Sequence, residues 1–122
     1  MTRRAREAVA VAAVAILAGL SSLDAGFVHD DHRLIEQNEW IRDLGHPARM
    51  FTQGYWTVDA TSVPNLYRPV TTLSFALNRA LFGAGPVGYR AVNLLLHASV
   101  AVLVLLLARR FTAAGGLVGR GA

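Results

Sequence analysis

The sequence predicts an all-α membrane protein in which two transmembrane helices flank an extracytoplasmic loop with short interfacial helices. Three observations predict it. Of the 122 residues, 53% are hydrophobic and only 16% charged, whereas soluble domains run nearer a quarter charged. The apolar residues gather in two runs near the chain ends instead of recurring at helical or strand spacing. Arginines border both runs on the side of the chain terminus. Without a cysteine, disulfides and thiolate metal or redox centres are excluded. The net charge of +4 lies in short clusters beside the apolar runs, which argues against a nucleic-acid partner.

Residues 1–7 carry Arg3, Arg4 and Arg6 and form the first flank. The apolar run Ala8–Leu23 is 16 residues long, short against the about 20 that a helical span needs. It extends through Ala25-Gly26-Phe27-Val28, with Asp24 at the outer boundary, which gives a first span over 8–28. A cleaved signal peptide shares the basic start and short apolar centre, but Leu20-Ser21-Ser22-Leu23-Asp24-Ala25 holds no clean A-x-A site.

The loop, 29–90, has a composition unlike a linker. Trp40, Trp56, Tyr55, Tyr67, Tyr89, Phe27, Phe51, Phe75 and Phe82 lie in or beside it, too many aromatic residues for a disordered segment. Asp31 is placed to cap a short helix carrying Leu34, Ile35, Ile41 and Leu44, ended by Gly45-His46-Pro47. A turn-rich stretch, 59–65, leads to Tyr67-Arg68-Pro69. Pro69 suits the first turn of a helix running from Val70 to about Phe82. Its wheel puts Val70, Leu73, Ala76, Leu77, Ala80 and Leu81 on one half, as expected of a helix lying in the bilayer interface. Gly83-Ala84-Gly85-Pro86 turns the chain into the second run.

That run, Ala91–Ala108, has 18 residues without a formal charge and is closed by Arg109-Arg110. Helices buried in soluble proteins are rarely apolar on every side, so 91–108 reads as the second span. Residues 109–122 form the second flank, with Arg120. Between the runs, Asp24 to Arg90 holds seven acids and six arginines. The positive-inside bias then puts both termini in the cytoplasm and the loop outside.

Three groups of residues attract chemistry. His29-Asp30-Asp31-His32 sets adjacent carboxylates beside the first span. Their mutual repulsion raises one pKa unless a cation compensates, which suits a general base toward a hydroxyl or a ligand for a metal–phosphate group. The competing reading is a solvated helix cap. Four consecutive residues cannot easily all face one ion, which weighs against a zinc site. Arg68, between Tyr67 and Pro69, is the candidate for an anionic head group, since guanidinium matches phosphate oxygens bidentately. Arg90, Asn93 and His97 fall at i, i+3 and i+7 on one stripe, to line a substrate cavity or to hydrogen-bond a neighbouring helix. Triad, phosphate-loop and dinucleotide motifs do not occur.

A longer ordered series stands out. It runs from Phe27-Val28-His29-Asp30-Asp31-His32 through Asn38-Glu39-Trp40-Ile41-Arg42-Asp43-Leu44 and Met50-Phe51-Thr52. It continues with Tyr67-Arg68-Pro69-Val70-Thr71-Thr72-Leu73-Ser74-Phe75-Ala76-Leu77-Asn78, Leu81-Phe82-Gly83, Gly88-Tyr89 and Val92-Asn93-Leu94-Leu95-Leu96-His97. Over residues 1–111 this resembles the N-terminal part of the GT-C glycosyltransferases that carry tetratricopeptide repeats, the transmembrane and tetratricopeptide-repeat-containing protein O-mannosyltransferases. The resemblance implies a sugar, mannose in that family, moved from a polyprenyl-phosphate donor to a protein hydroxyl. Asp30 and Asp31 match the family's acidic pair, one of them acting as base. Tyr67, Arg68, Arg90, Asn93 and His97 are then expected to meet substrate, although Arg90 stands where similar sequences often have histidine. A lipid-phosphate sugar is expected as donor substrate, with a divalent metal left open and no protein metal site assigned. Membrane lipid and the remaining transmembrane helices of a parent protein are the expected partners. The family has many more spans, so the chain is expected to be an N-terminal fragment or truncated relative, inactive alone. The alternative is a non-catalytic two-span protein serving assembly or partner binding.

Overall fold

A computed structural model describes residues 1–45, 47–58 and 66–118, with side chains through Thr112. The stretch 59–65, His46 of the expected helix stop, and Arg120 lie outside the described residues. The described residues are helical, without a strand: α1 (Arg3–Gly19), α2 (Pro47–Met50), α3 (Pro69–Phe82) and α4 (Pro86–Val118). The chain divides into two compact units, one made of Met1–Ser22 with the chain from Val92 onward, the other of Leu23–Ala91.

The first unit is a helix pair. Thr2 caps α1, its side chain accepting from the Ala5 N–H at 3.3 Å. Beyond Gly19 the helix tightens into a 3₁₀ turn, Leu20–Asp24, and the Ser22 hydroxyl donates to the Gly19 carbonyl at 2.7 Å. Glu7 pairs with Arg109 at one end, and Gly19 meets Leu94 at the other, so α1 and this part of α4 run antiparallel. Ala15 and Ala98 are its buried residues, and Ala15 and Gly19 stand at i and i+4 on one face. Small residues at such spacing let helix backbones approach closely in a membrane. The large side chains face outward: Val14 and Leu17 are each 66% exposed and Leu103 62%. Stretches Arg3–Asp24 and Pro86–Thr112 are long and apolar enough to cross a bilayer. The chain is an all-α membrane protein. The helix α4 continues past the apolar run through Arg109 and Arg110, arginine being a good helix former.

The second unit is a lobe around Leu34, Ile35, Ile41, Met50, Val58, Ala76 and Tyr89, with Phe27, Tyr55, Trp56, Leu73 and Phe75 packed against them. The expected single helix after Asp31 is instead two short turns. A wide π-type turn, His32–Glu36, closes with Gln37 N–H donating to the His32 carbonyl at 3.0 Å. A 3₁₀ turn follows, Glu39–Ile41. Asn38 causes the break. Its side chain is buried, accepts from the Trp40 N–H at 3.0 Å and donates to the Leu34 carbonyl at 3.1 Å. An asparagine that bonds neighbouring backbone on both sides competes with continued helix. Leu34, Ile35 and Ile41 reach the core, whereas Leu44 is exposed.

α3 starts at Pro69, as a proline at N1 favours. Its buried face differs from the expected apolar half. Ala76 and Asn78 are buried, with Leu73 and Phe75 against the core. Val70, Leu77 and Leu81 are exposed, by 71%, 44% and 73%. Phe75 lies outside that apolar half and turns to the core, because aromatic partners, not apolar count, orient the helix. Phe75 stacks edge-on with Tyr89 at 6.0 Å, and Phe27 meets Tyr89 at 5.8 Å. Gly83 takes φ +84°, a left-handed conformation that a side chain would strain, and this lets α3 double back into α4. There Asn78 donates to the Gly88 carbonyl at 3.3 Å and Tyr89 to the Phe75 carbonyl at 3.2 Å.

Candidate functional site

The acidic pair lies in a tight turn of the lobe. Asp31 N–H donates to the Val28 carbonyl at 2.9 Å, and Val28 N–H donates back to the Asp31 carboxylate at 3.3 Å. His29, between them, has φ +44°. Positive φ is uncommon outside glycine, and backbone held there concentrates at functional sites. Asp31 is therefore not the cap of the next helix, since its carboxylate turns back to Val28. Its other neighbour is Arg90, 3.6 Å away. Arg90 is itself anchored, donating to the Gly26 carbonyl at 2.5 Å. The guanidinium supplies the cation that two adjacent carboxylates need. Asp30, in contrast, is exposed. His32 turns away to Glu36, with Nδ1 2.6 Å from the carboxylate.

Arg68 stands at the start of α3 without capping it. Its guanidinium lies over the Tyr55 ring, 5.3 Å from the centroid. Tyr55 joins the sequence-predicted residues: burial pushes its phenol above the usual tyrosine range, Arg68 pulls it down, and Asp30 and Asp31 push it up. The phenol is thus within electrostatic reach of both acids and of Arg68, and stays a proton donor at neutral pH. Tyr67 does otherwise. Its hydroxyl donates to the Phe51 carbonyl at 2.9 Å, tying α3's entry to the end of α2. Asn93 and His97 are exposed and belong to the helix-pair unit. The lobe accordingly holds two pairs, Asp31 with Arg90 and Arg68 with Tyr55, and leaves Asn93 and His97 out.

Tyr55 carried a faint sequence signal, as one of many loop aromatic residues. Its neighbourhood depends on the backbone bond from Tyr55 N–H to the Leu66 carbonyl, a contact that no local pattern encodes. Among the described residues no three His, Asp or Glu side chains converge on a point where a metal could sit. With Arg90 beside Asp31, the donor set does not form an all-protein metal cage.

No family model matches the chain, and no solved structure matches it. Curated proteins do. The protein O-mannosyl-transferase Tmtc1 of Drosophila melanogaster is 38% identical over 100 residues, 80% of this chain and 12% of its own length. The protein O-mannosyl-transferase TMTC2 of Homo sapiens is 39% identical over 83 residues, 66% of this chain and 10% of its own. The protein O-mannosyl-transferase F38B6.6 of Caenorhabditis elegans is 32% identical over 101 residues, 81% of this chain and 14% of its own. The chain thus spans only a small part of the relatives it matches. Over most of its own length it resembles a segment of the transmembrane and tetratricopeptide-repeat type of protein O-mannosyltransferase.

Proposed function

We propose that this chain supplies the acidic surface of a membrane glycosyltransferase that moves a sugar, mannose, from a polyprenyl-phosphate donor to a protein hydroxyl. The observation that carries the reading is the asymmetry of the acidic pair. Asp31 is engaged by Val28 N–H and Arg90, while Asp30 is exposed on the same turn. One carboxylate is held by structure and the other is open to an acceptor. Asp30 takes the proton of the acceptor hydroxyl as that oxygen attacks the sugar's anomeric carbon, and the lipid phosphate leaves. Arg68 meets the developing phosphate charge, and Tyr55 holds Arg68 in place through its ring. Arg90 pairs with Asp31 and so occupies that carboxylate, leaving Asp30 as the open one. The names of the relatives support transfer of mannose to protein; the lipid donor rests on the resemblance alone.

The loop faces outside and both termini face the cytoplasm, as the arginine flanks suggest. α3 lies in the interface, its exposed Val70, Leu77 and Leu81 toward lipid. Residues 1–7 and 109–122 are cytoplasmic, 8–28 and 91–108 the spans, and 29–90 the loop. Glu39→Cys should react with an impermeant thiol reagent on intact cells and Thr112→Cys should not. The opposite labelling would reverse the orientation.

The catalytic reading is tested by transfer from a polyprenyl-phosphate mannose to hydroxyl peptides, using the chain with any coding sequence that continues it. Asp30→Asn should insert normally yet lose about 10²–10⁴ in rate, as loss of a positioned general base does. Asp31→Asn, which keeps a Val28 acceptor but loses the ion pair, should lose less. Normal turnover in both variants would reduce the pair to a solvated turn and favour a non-catalytic, partner-binding protein.

A further inference from the structure

The ends of the helix pair hold a second charged feature, distinct from the acidic turn. Arg3, Arg4, Glu7, Leu106, Arg109, Arg110 and Thr112 line an open cavity of about 710 Å³. Four guanidinium groups face it against one carboxylate, and that carboxylate is already shared. Glu7 accepts from Arg3 Nε at 2.9 Å and pairs with Arg109 through its other oxygen. Arg109 Nη1 is nonetheless buried and, among the described residues, has no hydrogen-bond acceptor. A buried guanidinium donor without an acceptor is costly, and the cavity beside it is where an acceptor fits. Next to this charged end, Leu103, Val104 and Leu107 of α4 are exposed by 62%, 60% and 55%.

We propose that this cavity binds the phosphate of an anionic phospholipid, whose acyl chains lie along α4 beside Leu103, Val104 and Leu107. Guanidinium forks match phosphate oxygens bidentately and fill the donor capacity that Glu7 leaves over. The continuous apolar flank selects a lipid over a free anion, because a soluble phosphate leaves Leu103 and Leu107 unused. Basic pockets between helix ends at a membrane surface hold anionic head groups by this same chemistry. The inference is independent of sugar transfer.

The test is native mass spectrometry of the purified full chain in detergent, titrated with phosphatidylglycerol and with phosphatidylcholine of the same acyl chains. Phosphatidylglycerol should be retained preferentially. Arg4→Gln, which removes a lining charge without touching the Glu7–Arg109 pair, should weaken retention about five-fold. Arg109→Lys should weaken it too, keeping charge but not the fork. Arg6→Gln, on the same helix turn but not lining the cavity, should leave retention unchanged. Equal loss from Arg6→Gln and Arg4→Gln would show diffuse surface attraction and overturn the site. Equal retention of phosphatidylcholine would overturn it as well. Full displacement of the lipid by inorganic phosphate or glycerol phosphate would show a soluble-anion site instead.

Discussion

The helix pair and the lobe use the same kinds of residue in opposite ways. In the pair, alanines and a glycine sit between the helices, while Val14, Leu17 and Leu103 face out. In the lobe, Ile35 and Ile41 are 4% and 1% exposed, and polar or charged residues such as Glu36 and Arg42 face out. Burying large apolar side chains lowers free energy only where the alternative is water. Where the alternative is lipid, leucine gains nothing by turning inward, and close backbone packing of small residues takes over. The contrast says that the pair and the part of the lobe around Ile41 meet different solvents, and substitutions can break or sharpen it.

The largest effect should come from Ile41→Ala. Truncating a fully enclosed side chain costs about 2–5 kcal/mol, enough to open a small lobe. Hydrogen exchange in detergent should show lost protection over 34–58 and α3. Leu103→Ala removes as many atoms from a residue that faces out of the pair, and should leave protection of α4 unchanged. Comparable losses from the two would mean that α4 buries Leu103 against protein, and the two-solvent contrast would fail.

Asn38→Ala comes next. It strands the Trp40 N–H and the Leu34 carbonyl, each now satisfied by the Asn38 side chain. A buried polar group left without a partner costs about 1–3 kcal/mol. If Asn38→Ala leaves far-UV helicity and stability both unchanged, Asn38 is not what breaks the helix.

These residues also mark how far the sequence could be read. The two apolar runs, α3 from Pro69 and the Gly83 reversal were all visible, because each rests on local chemistry. Runs of leucine and valine, a proline at N1, and a glycine before the next helix act within a few residues. The split of the segment after Asp31 was not visible. There a periodic apolar pattern competes with Asn38, whose effect depends on its side chain being buried. Tyr55 was equally hidden among the loop aromatic residues, since Arg68 meets it only after the chain between them has folded back through Leu66. Long-range placement also decided the partner of Phe75, the ring of Tyr89.

Two glycines set the smallest effects side by side. A Cβ on Gly88 would fall 2.5 Å from Phe82 Cβ and 3.0 Å from Asn78 Oδ1. The Phe82 Cβ is fixed to the α3 backbone, so only a shift of α3 against the first turn of α4 relieves the clash, at a cost of about 1–3 kcal/mol for overpacking. A Cβ on Gly19 would come equally close, 2.5 Å, but to Leu94 Cδ1, with Leu94 Cγ next at 3.9 Å. That methyl is the far end of a side chain able to change rotamer, which costs on the order of 1 kcal/mol or less. Alanine also favours helix over glycine by about 1 kcal/mol, an offset of the same size, whereas at Gly88 the clash outweighs it. Gly88→Ala should therefore lower the midpoint of thermal unfolding in detergent, and Gly19→Ala should leave it nearly unchanged. A marked loss at Gly19 would show that Leu94 has no second rotamer to adopt, and that the pair packs as tightly as the lobe.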